Sequence, residues 1–207
     1  MRPDIEKLSL MPLLVFFLFL SASCAHVGRE PELMTREERL SLAAIYESKG
    51  ETELALREYS RAAEEGGSAD AYFAIANIRL KAGDLKEAER NYLKAVRINP
   101  ANAAYRNNLG WLYMEKGELK KAERSAREAL RLDPGKGFVY LDTLGVIQTR
   151  FGSFKEAEAS LMEASRLAPA GDRQGRIEIY SHLGDLYRKT GEIDKAVRME
   201  ERIKALR

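Results

Sequence analysis

The side chains best suited to catalysis are few in this 207-residue sequence, which contains two histidines and one cysteine. His26 lies near the N-terminus, whereas His182 follows Ser181 and precedes Asp185 by three residues. Because neighbouring side chains on a helix diverge, Ser181 and His182 make a poor nucleophile–base pair. The sequence also lacks the H-E-x-x-H, G-x-S-x-G and Walker motifs. We therefore predict a protein that is not an enzyme and uses no metal or organic cofactor.

The single cysteine, Cys24, cannot form an internal disulfide, and it follows an apolar segment. Residues 8–20 are uncharged and mostly apolar, Arg2 and Lys7 precede them, and small residues fill positions 21–23. The apolar run is shorter than the roughly 20 residues that span a bilayer. It is typical of the central region of a secretory signal peptide, which we predict over residues 1–23.

The residues around the cysteine, Leu20-Ser21-Ala22-Ser23-Cys24, resemble the lipobox of bacterial lipoproteins. The resemblance implies cleavage before Cys24 and attachment of lipid to its thiol and its new amino group. Ala25, rather than aspartate, follows the cysteine, which in that family implies an outer membrane and a protein facing the periplasm. An uncleaved signal anchor, inner-membrane attachment and secretion with an incidental cysteine are the alternatives. Residues 24–35 lack periodicity and are predicted to form a lipidated tether.

Overall charge and composition exclude several classes of protein. Lys and Arg number 34 against 32 Asp and Glu, so the net charge of +2 gives no reason to expect a nucleic-acid partner. Hydrophobic residues make up 45% of the chain, with only 6 Pro and 15 Gly. These values exclude a polytopic membrane protein, a collagen-like chain and a low-complexity disordered chain.

An internal repeat occupies the sequence from residue 36 onward. Glycines recur at spacings of 33, 34, 35 and 39 residues, and an alanine follows each of them five residues later. Prolines close three of the repeated units. The glycines are Gly50, Gly83, Gly117, Gly152 and Gly191, the alanines are Ala55, Ala88, Ala122, Ala157 and Ala196, and the prolines are Pro100, Pro134 and Pro169.

The pattern resembles the tetratricopeptide repeat, a helix–turn–helix unit of about 34 residues. It is clearest over residues 103–136, with Leu109-Gly110, Tyr113, Gly117, Ala122, Ala129 and Pro134. The resemblance implies an all-α fold, a right-handed α-solenoid of about five units within a repeat domain over residues 36–207. We place the units at about 36–68, 69–102, 103–136, 138–171 and 177–207.

Each recurring residue type predicts a local feature. The glycines end the first helix (helix A) of each unit in a left-handed conformation, and the next residue, such as Asp84 or Glu118, caps the second helix (helix B). Small residues such as Gly110 and Gly145 let the two helices approach, and the prolines stop helix B. We expect the five residues 172–176, an insertion between the last two units, to loop out.

Resemblance to the family places helix A of each unit on the concave side and implies a groove that binds a partner. An exposed aromatic ring among amides suits an extended or helical peptide. The predicted groove residues are Phe73, Asn77, Asn107, Asn108, Trp111, Met114, Asp142, Val146 and Arg150.

Alternatives remain for individual groove residues. Trp111 either faces the groove or rotates into the gap between units two and three, and Asn107 and Asn108 are either ligand-binding or ordinary polar residues. His182 is interpreted as a helix-A residue near the groove. One subclass of the family clamps a C-terminal carboxylate, but Phe73, Val139 and Thr143 stand where it needs basic residues, so that clamp is not expected here.

Signal sequence and repeats together resemble the tetratricopeptide repeat lipoproteins of the bacterial envelope. The resemblance implies a non-catalytic scaffold, anchored by lipid, that binds another envelope protein or peptide. It suggests a role in assembling a type IV pilus or secretin complex. The alternative is a secreted accessory subunit that regulates an envelope enzyme such as a peptidase or peptidoglycan hydrolase.

Overall fold

The computed structural model describes residues 34–64 and 67–207, so the predicted signal peptide, Cys24 and almost all of the predicted tether lie outside the described residues. The described residues form ten α-helices and no strand, which confirms the predicted all-α fold. The helices are α1 (Arg36–Ser48), α2 (Thr52–Glu64), α3 (Ala69–Lys81), α4 (Leu85–Ile98), α5 (Ala103–Glu115), α6 (Leu119–Leu132), α7 (Gly137–Phe151), α8 (Phe154–Leu167), α9 (Arg173–Thr190) and α10 (Ile193–Leu206).

Helices pack in the order in which they occur in the chain. Each odd-numbered helix packs most extensively against the helix that follows it, and each even-numbered helix also packs against the next odd-numbered one. The odd-numbered helices are therefore the A helices and the even-numbered ones the B helices of five helical hairpins. Buried apolar residues form several clusters along this stack rather than one centre. Such a stack is an α-solenoid, in which each unit is stabilised mainly by its neighbours.

The turn inside each hairpin depends on its glycine. Gly50, Gly83, Gly117, Gly152 and Gly191 have φ angles of 75°, 77°, 74°, 85° and 80°. Residues with a Cβ rarely adopt this left-handed conformation, so glycine is the natural residue at the end of helix A. The B helices α4, α6 and α8 each end two residues before a proline, as predicted.

Helix caps follow the prediction only in part. The Asp84 carboxylate accepts a hydrogen bond from a backbone N–H in the first turn of α4 at 3.2 Å. Glu118, Ser153 and Glu192 occupy the N-cap positions of α6, α8 and α10 as predicted, but their side chains accept no hydrogen bond from the helix. The Glu118 carboxylate instead lies 2.7 Å from the Lys116 ammonium, which outcompetes a neutral N–H donor.

Residues 173–176 of the expected loop are helical, which corrects the prediction. Asp172 accepts a hydrogen bond from the Gly175 N–H at 2.9 Å and so caps an α9 that starts at Arg173. The Arg173 side chain also donates to the Leu206 carbonyl at 2.9 Å, which ties this extra turn to the end of α10. The insertion therefore lengthens an A helix.

Close helix contact requires glycine most strictly in the fourth hairpin. A Cβ placed on Gly145 would lie 2.5 Å from the Leu161 side chain of α8. Placed on Gly110, it would lie 3.3 Å from a backbone oxygen of α6. The prediction of small residues where the two helices touch is thus confirmed. Within the described residues, no helix is both long and apolar enough to cross a bilayer.

Candidate partner-binding face

Successive A helices meet through polar side chains, and these contacts define a surface that we call the A-helix face. It is made by α3, α5, α7 and α9, each of which contacts the next. Two of its contacts join the ninth residue of one unit to the sixth residue of the next. They are Asn77 with Asn108, and Trp111 with Thr143.

The first of these contacts places two amides side by side. Asn77 Oδ1 accepts hydrogen bonds from the Asn108 side-chain nitrogen at 2.9 Å and from the Tyr92 hydroxyl at 2.6 Å. Both acceptor sites of that oxygen are thereby occupied. Among the described residues, no hydrogen bond to the Asn77 side-chain nitrogen or the Asn108 side-chain oxygen accompanies these two, and a donor beside an acceptor matches the pattern of a peptide backbone.

Trp111 is half-buried and held in place by the next unit. Its indole N–H donates to the Thr143 hydroxyl at 3.2 Å, and that hydroxyl donates to the Val139 carbonyl at 3.2 Å. The ring packs against the buried cluster that includes Leu112 and Ile147. Trp111 therefore bridges units three and four, which differs from the alternative that placed it between units two and three.

Asp142 and His182 form the polar contact between α7 and α9. The His182 Nδ1 lies 2.8 Å and 3.0 Å from the two carboxylate oxygens of Asp142. Burial alone would lower the pKa of His182, but the hydrogen bond and charge of Asp142, with the charges of Asp185 and Glu178, raise that pKa above its ordinary value. The pair is thus an ion pair at mildly acidic pH.

A cavity of about 240 Å³ opens between α7 and α9 next to this pair. The Arg150 guanidinium donates to the Met114 carbonyl at 3.3 Å, and the Lys189 ammonium donates to the Thr149 carbonyl at 3.3 Å. Each cation thus sits at the C-terminal end of the preceding A helix, where the helix dipole favours positive charge. The cavity is lined by Val146, Thr149, Arg150, His182, Asp185 and Lys189.

Two predicted groove residues are not accessible. Asn107 and Met114 are 6% and 3% exposed, so the expectation that they face a partner is wrong. Met114 is part of the buried cluster with Leu144. The Asn107 Oδ1 is buried without a hydrogen-bond partner among the described residues.

The other predicted groove residues lie on or beside the A-helix face. Phe73 is half-buried, with its ring centroid 4.8 Å from that of Tyr105. Val146 is half-buried and Arg150 is exposed.

Sequence reasoning missed the partners that fix this face. Thr143 was considered only as a mismatch to a carboxylate clamp, and the Asp142–His182 pair was not foreseen. The missed signal was the sixth residue of units three to five, Asn108, Thr143 and His182, which is polar in each case.

Helical hairpins stacked around glycine turns, with polar contacts between successive A helices, define a repeat protein with an extended interaction face. Two models of the tetratricopeptide repeat family match the chain, over residues 73–136 and 177–203. The chain is therefore a tetratricopeptide repeat protein. Folds of this kind are typically non-catalytic modules that bind proteins or peptides.

Solved structures share this fold. PilF of Pseudomonas aeruginosa is 23% identical with a TM-score of 0.71, over 83% of this chain and 76% of PilF. PilW, a widely conserved type IV pilus biogenesis factor, is 19% identical with a TM-score of 0.73, over 83% of this chain and 77% of PilW. YrrB, a repeat protein with an unusual peptide-binding site, is 21% identical with a TM-score of 0.59, over 82% of this chain and 85% of YrrB. None of the curated protein sequences matches this chain.

Proposed function

We propose that the protein is a non-catalytic scaffold that binds an envelope protein, through an extended or helical segment of it, on the A-helix face. The observation that carries the proposal is the row formed by the Asn77–Asn108 amides, Trp111 and Val146. It combines backbone-like hydrogen-bonding groups with half-exposed apolar area. Residues that dominate binding energy are enriched in Trp, Tyr and Arg, so Trp111 is the residue of this row best suited to anchor a partner.

The side chains of this row are already held in place before any partner binds, which supports the same proposal. Trp111 is held by Thr143, and Asn77 is held by Tyr92 and Asn108. Side chains that are already ordered lose little conformational entropy when a partner binds, which favours affinity. A row that runs across three A helices also suits an extended segment better than a small molecule.

The cellular setting is part of the proposal. The lipobox-like sequence ending at Cys24 supports lipid anchoring in the bacterial envelope, at an outer membrane with the repeats facing the periplasm. The fold shared with PilF and PilW supports a role in assembling a type IV pilus or secretin complex. At these identities the likeness concerns fold, so the pilus role rests on analogy.

Affinity capture after crosslinking in native cells tests the groove. We expect the double variant Trp111→Ala/Asn108→Ala to recover the partner about tenfold less than wild type, because an anchor and an amide contact are lost. Met162→Ala, which truncates an exposed side chain on the B helix α8, is the matched control and should recover the partner fully. Equal recovery by all three proteins would contradict binding on the A-helix face.

Lipid anchoring has a separate test. We expect Cys24→Ser to block acylation and to move the protein from the membrane fraction to the soluble fraction. Ser23→Ala is the matched control, because it keeps a small residue before the cysteine and leaves the acylated thiol in place. Unchanged fractionation of Cys24→Ser would show that the lipobox interpretation is wrong.

A further inference from the structure

On two consecutive B helices, α4 and α6, the most exposed charged residues are all positive, whereas Glu87, Glu123 and Glu128 are only about a third exposed. All five exposed residues of α6 are Lys or Arg, and α4 exposes four more together with Leu93 and Ile98. We call these nine cations the basic face. They are Lys86, Arg90, Lys94, Arg97, Lys120, Lys121, Arg124, Arg127 and Arg131.

The basic face is local to these two helices. The acidic residues of α4 and α6 are only half-exposed, whereas the neighbouring B helices α2 and α8 expose Glu53 and Glu156. Both α4 and α6 pack against α5, so they are successive B helices of the stack. Since the whole chain carries a net charge of only +2, this concentration does not simply reflect a basic protein.

Several cations of the basic face are not neutralised by the protein itself. Arg127 lies 2.7 Å from Glu123 and Arg90 lies 2.7 Å from Glu87, both on their own helices. Four others have no ion-pair partner within the part of the chain that the structure describes. These are Lys86, Arg97, Lys120 and Arg124.

We propose that the basic face rests on the anionic headgroups of the membrane that holds the lipid anchor. This inference extends the proposed anchoring and rests on it. If Cys24 is acylated, residues 24–35 span at most about 40 Å, so the repeats stay close to the bilayer. A fluid layer of phosphates needs no pocket to bind separate, flexible cations, and each cation near such a surface adds to the attraction.

Exposed apolar side chains on α4 agree with a lipid surface. Leu93 and Ile98 are 41% and 46% exposed; Leu93 lies between Arg90 and Lys94 in the sequence, and Ile98 follows Arg97 at the end of the helix. Apolar side chains flanked by Lys and Arg are typical of helices that lie at a bilayer interface. Placing the B-helix side on the membrane leaves the A-helix face turned to a partner, so the two surfaces do not compete.

Amine labelling of the acylated full chain, reconstituted in vesicles, tests the basic face. In vesicles that contain phosphatidylglycerol, we expect acetylation of Lys86, Lys94 and Lys120 to be about fivefold slower than in phosphatidylcholine alone. High salt should remove the protection, because it screens surface charge. Exposed Lys155 and Lys204, on α8 and α10, are internal controls and should react equally in both vesicles.

A pair of matched variants sharpens this test with Lys94 as the reporter. Lys86→Gln/Arg97→Gln/Lys120→Gln/Arg124→Gln removes the four unpaired cations and should abolish the protection of Lys94. Lys49→Gln/Lys155→Gln/Arg198→Gln/Lys204→Gln removes four exposed cations elsewhere and should keep it. All eight positions are exposed, so circular dichroism should show both variants folded.

Different results would contradict the lipid anchor and the binding of the basic face to lipid. Mass spectrometry that finds no lipid on Cys24 contradicts the anchor. Equal labelling of Lys94 in the two kinds of vesicle contradicts the basic face. Protection of these lysines by poly-glutamate in solution, without protection on anionic vesicles, would overturn the lipid assignment in favour of an acidic polypeptide.

Discussion

Single side chains on the A-helix face are held by the neighbouring unit. The Trp111 indole bonds to Thr143, and the Asn77 amide oxygen bonds to Asn108. These bonds add to the packing of Trp111 against the buried cluster and to the bond between Tyr92 and Asn77. The same bonds connect successive units, so residues that prepare the face for a partner also stabilise the stack.

Replacing Asn107 by an apolar residue is predicted to increase the stability of the protein. Its buried Oδ1 lacks a hydrogen-bond partner among the described residues, and such an atom costs about 1–3 kcal/mol. We expect Asn107→Leu to raise the free energy of unfolding by about 1 kcal/mol in urea titrations. Asn108→Leu, on the same helix, should not stabilise, because it removes the bond to Asn77. A loss of stability in Asn107→Leu would contradict this view of the site.

The Asp142–His182 pair predicts a pH dependence of stability. Because the pKa of His182 is raised in the folded state, its ion pair contributes fully below the ordinary histidine pKa of about 6.5. That contribution is lost as pH rises through the folded-state pKa. We therefore expect Asp142→Asn to lower Tm more at pH 6 than at pH 9.

A control for this titration is present on α8. Glu163 pairs with Arg166 at 2.5 Å, and neither group titrates between pH 6 and pH 9. The Tm change of Glu163→Gln should therefore be the same at both values. A Tm change of Asp142→Asn that is also independent of pH would contradict the ion pair.

The position of a residue in the repeat predicted the direction of its side chain better than it predicted how exposed that side chain is. Trp111 and Val146 are half-buried on α5 and α7, whereas Asn107 and Met114 are buried on the same helix as Trp111. A helical repeat gives the angle of a residue around its axis. It does not give how far the neighbouring unit covers that residue, as Leu144 and Ile147 do beside Met114.

At the level of helices, the repeat predicted most boundaries because one residue type fixes each of them. A glycine with positive φ ends each A helix, and proline follows three of the B helices. The prediction was wrong at residues 172–176, where Asp172 caps an additional turn of α9. An insertion between two units suggested a loop, but one capping carboxylate was enough to start the helix earlier.

Replacing a glycine inside an A helix by alanine should have opposite effects on stability at Gly145 and at Gly184. A Cβ on Gly145 would lie 2.5 Å from Leu161, so Gly145→Ala should destabilise by about 1–3 kcal/mol through overpacking. A Cβ on Gly184 would have its nearest neighbour at 3.5 Å, the flexible end of Arg188. Gly184→Ala should therefore stabilise by up to about 1 kcal/mol through helix propensity. Urea titration measures both, and equal effects would contradict the packing described for the fourth hairpin.

At the scale of the whole repeat stack, the two sides carry different chemistry. The A-helix face combines amides, a fixed indole and the cavity between α7 and α9. The B helices α4 and α6 instead carry nine exposed cations, and their acidic residues are only half-exposed. The family resemblance places a partner on the first surface, and that binding site stays a prediction. The sequence did not predict the second, because cations alternate with glutamates in the sequence, and only the structure separates exposed from half-buried positions.

Site-specific photocrosslinking in native cells tests the central claim, that a partner polypeptide binds the A-helix face. A photoreactive amino acid is placed at Val146, on the A-helix face, or at Met162, on the outer side of α8. We predict one discrete protein adduct from position 146 that is absent from position 162 and disappears when Trp111→Ala is added. An adduct of the same mass from position 162, with none from position 146, would contradict the account.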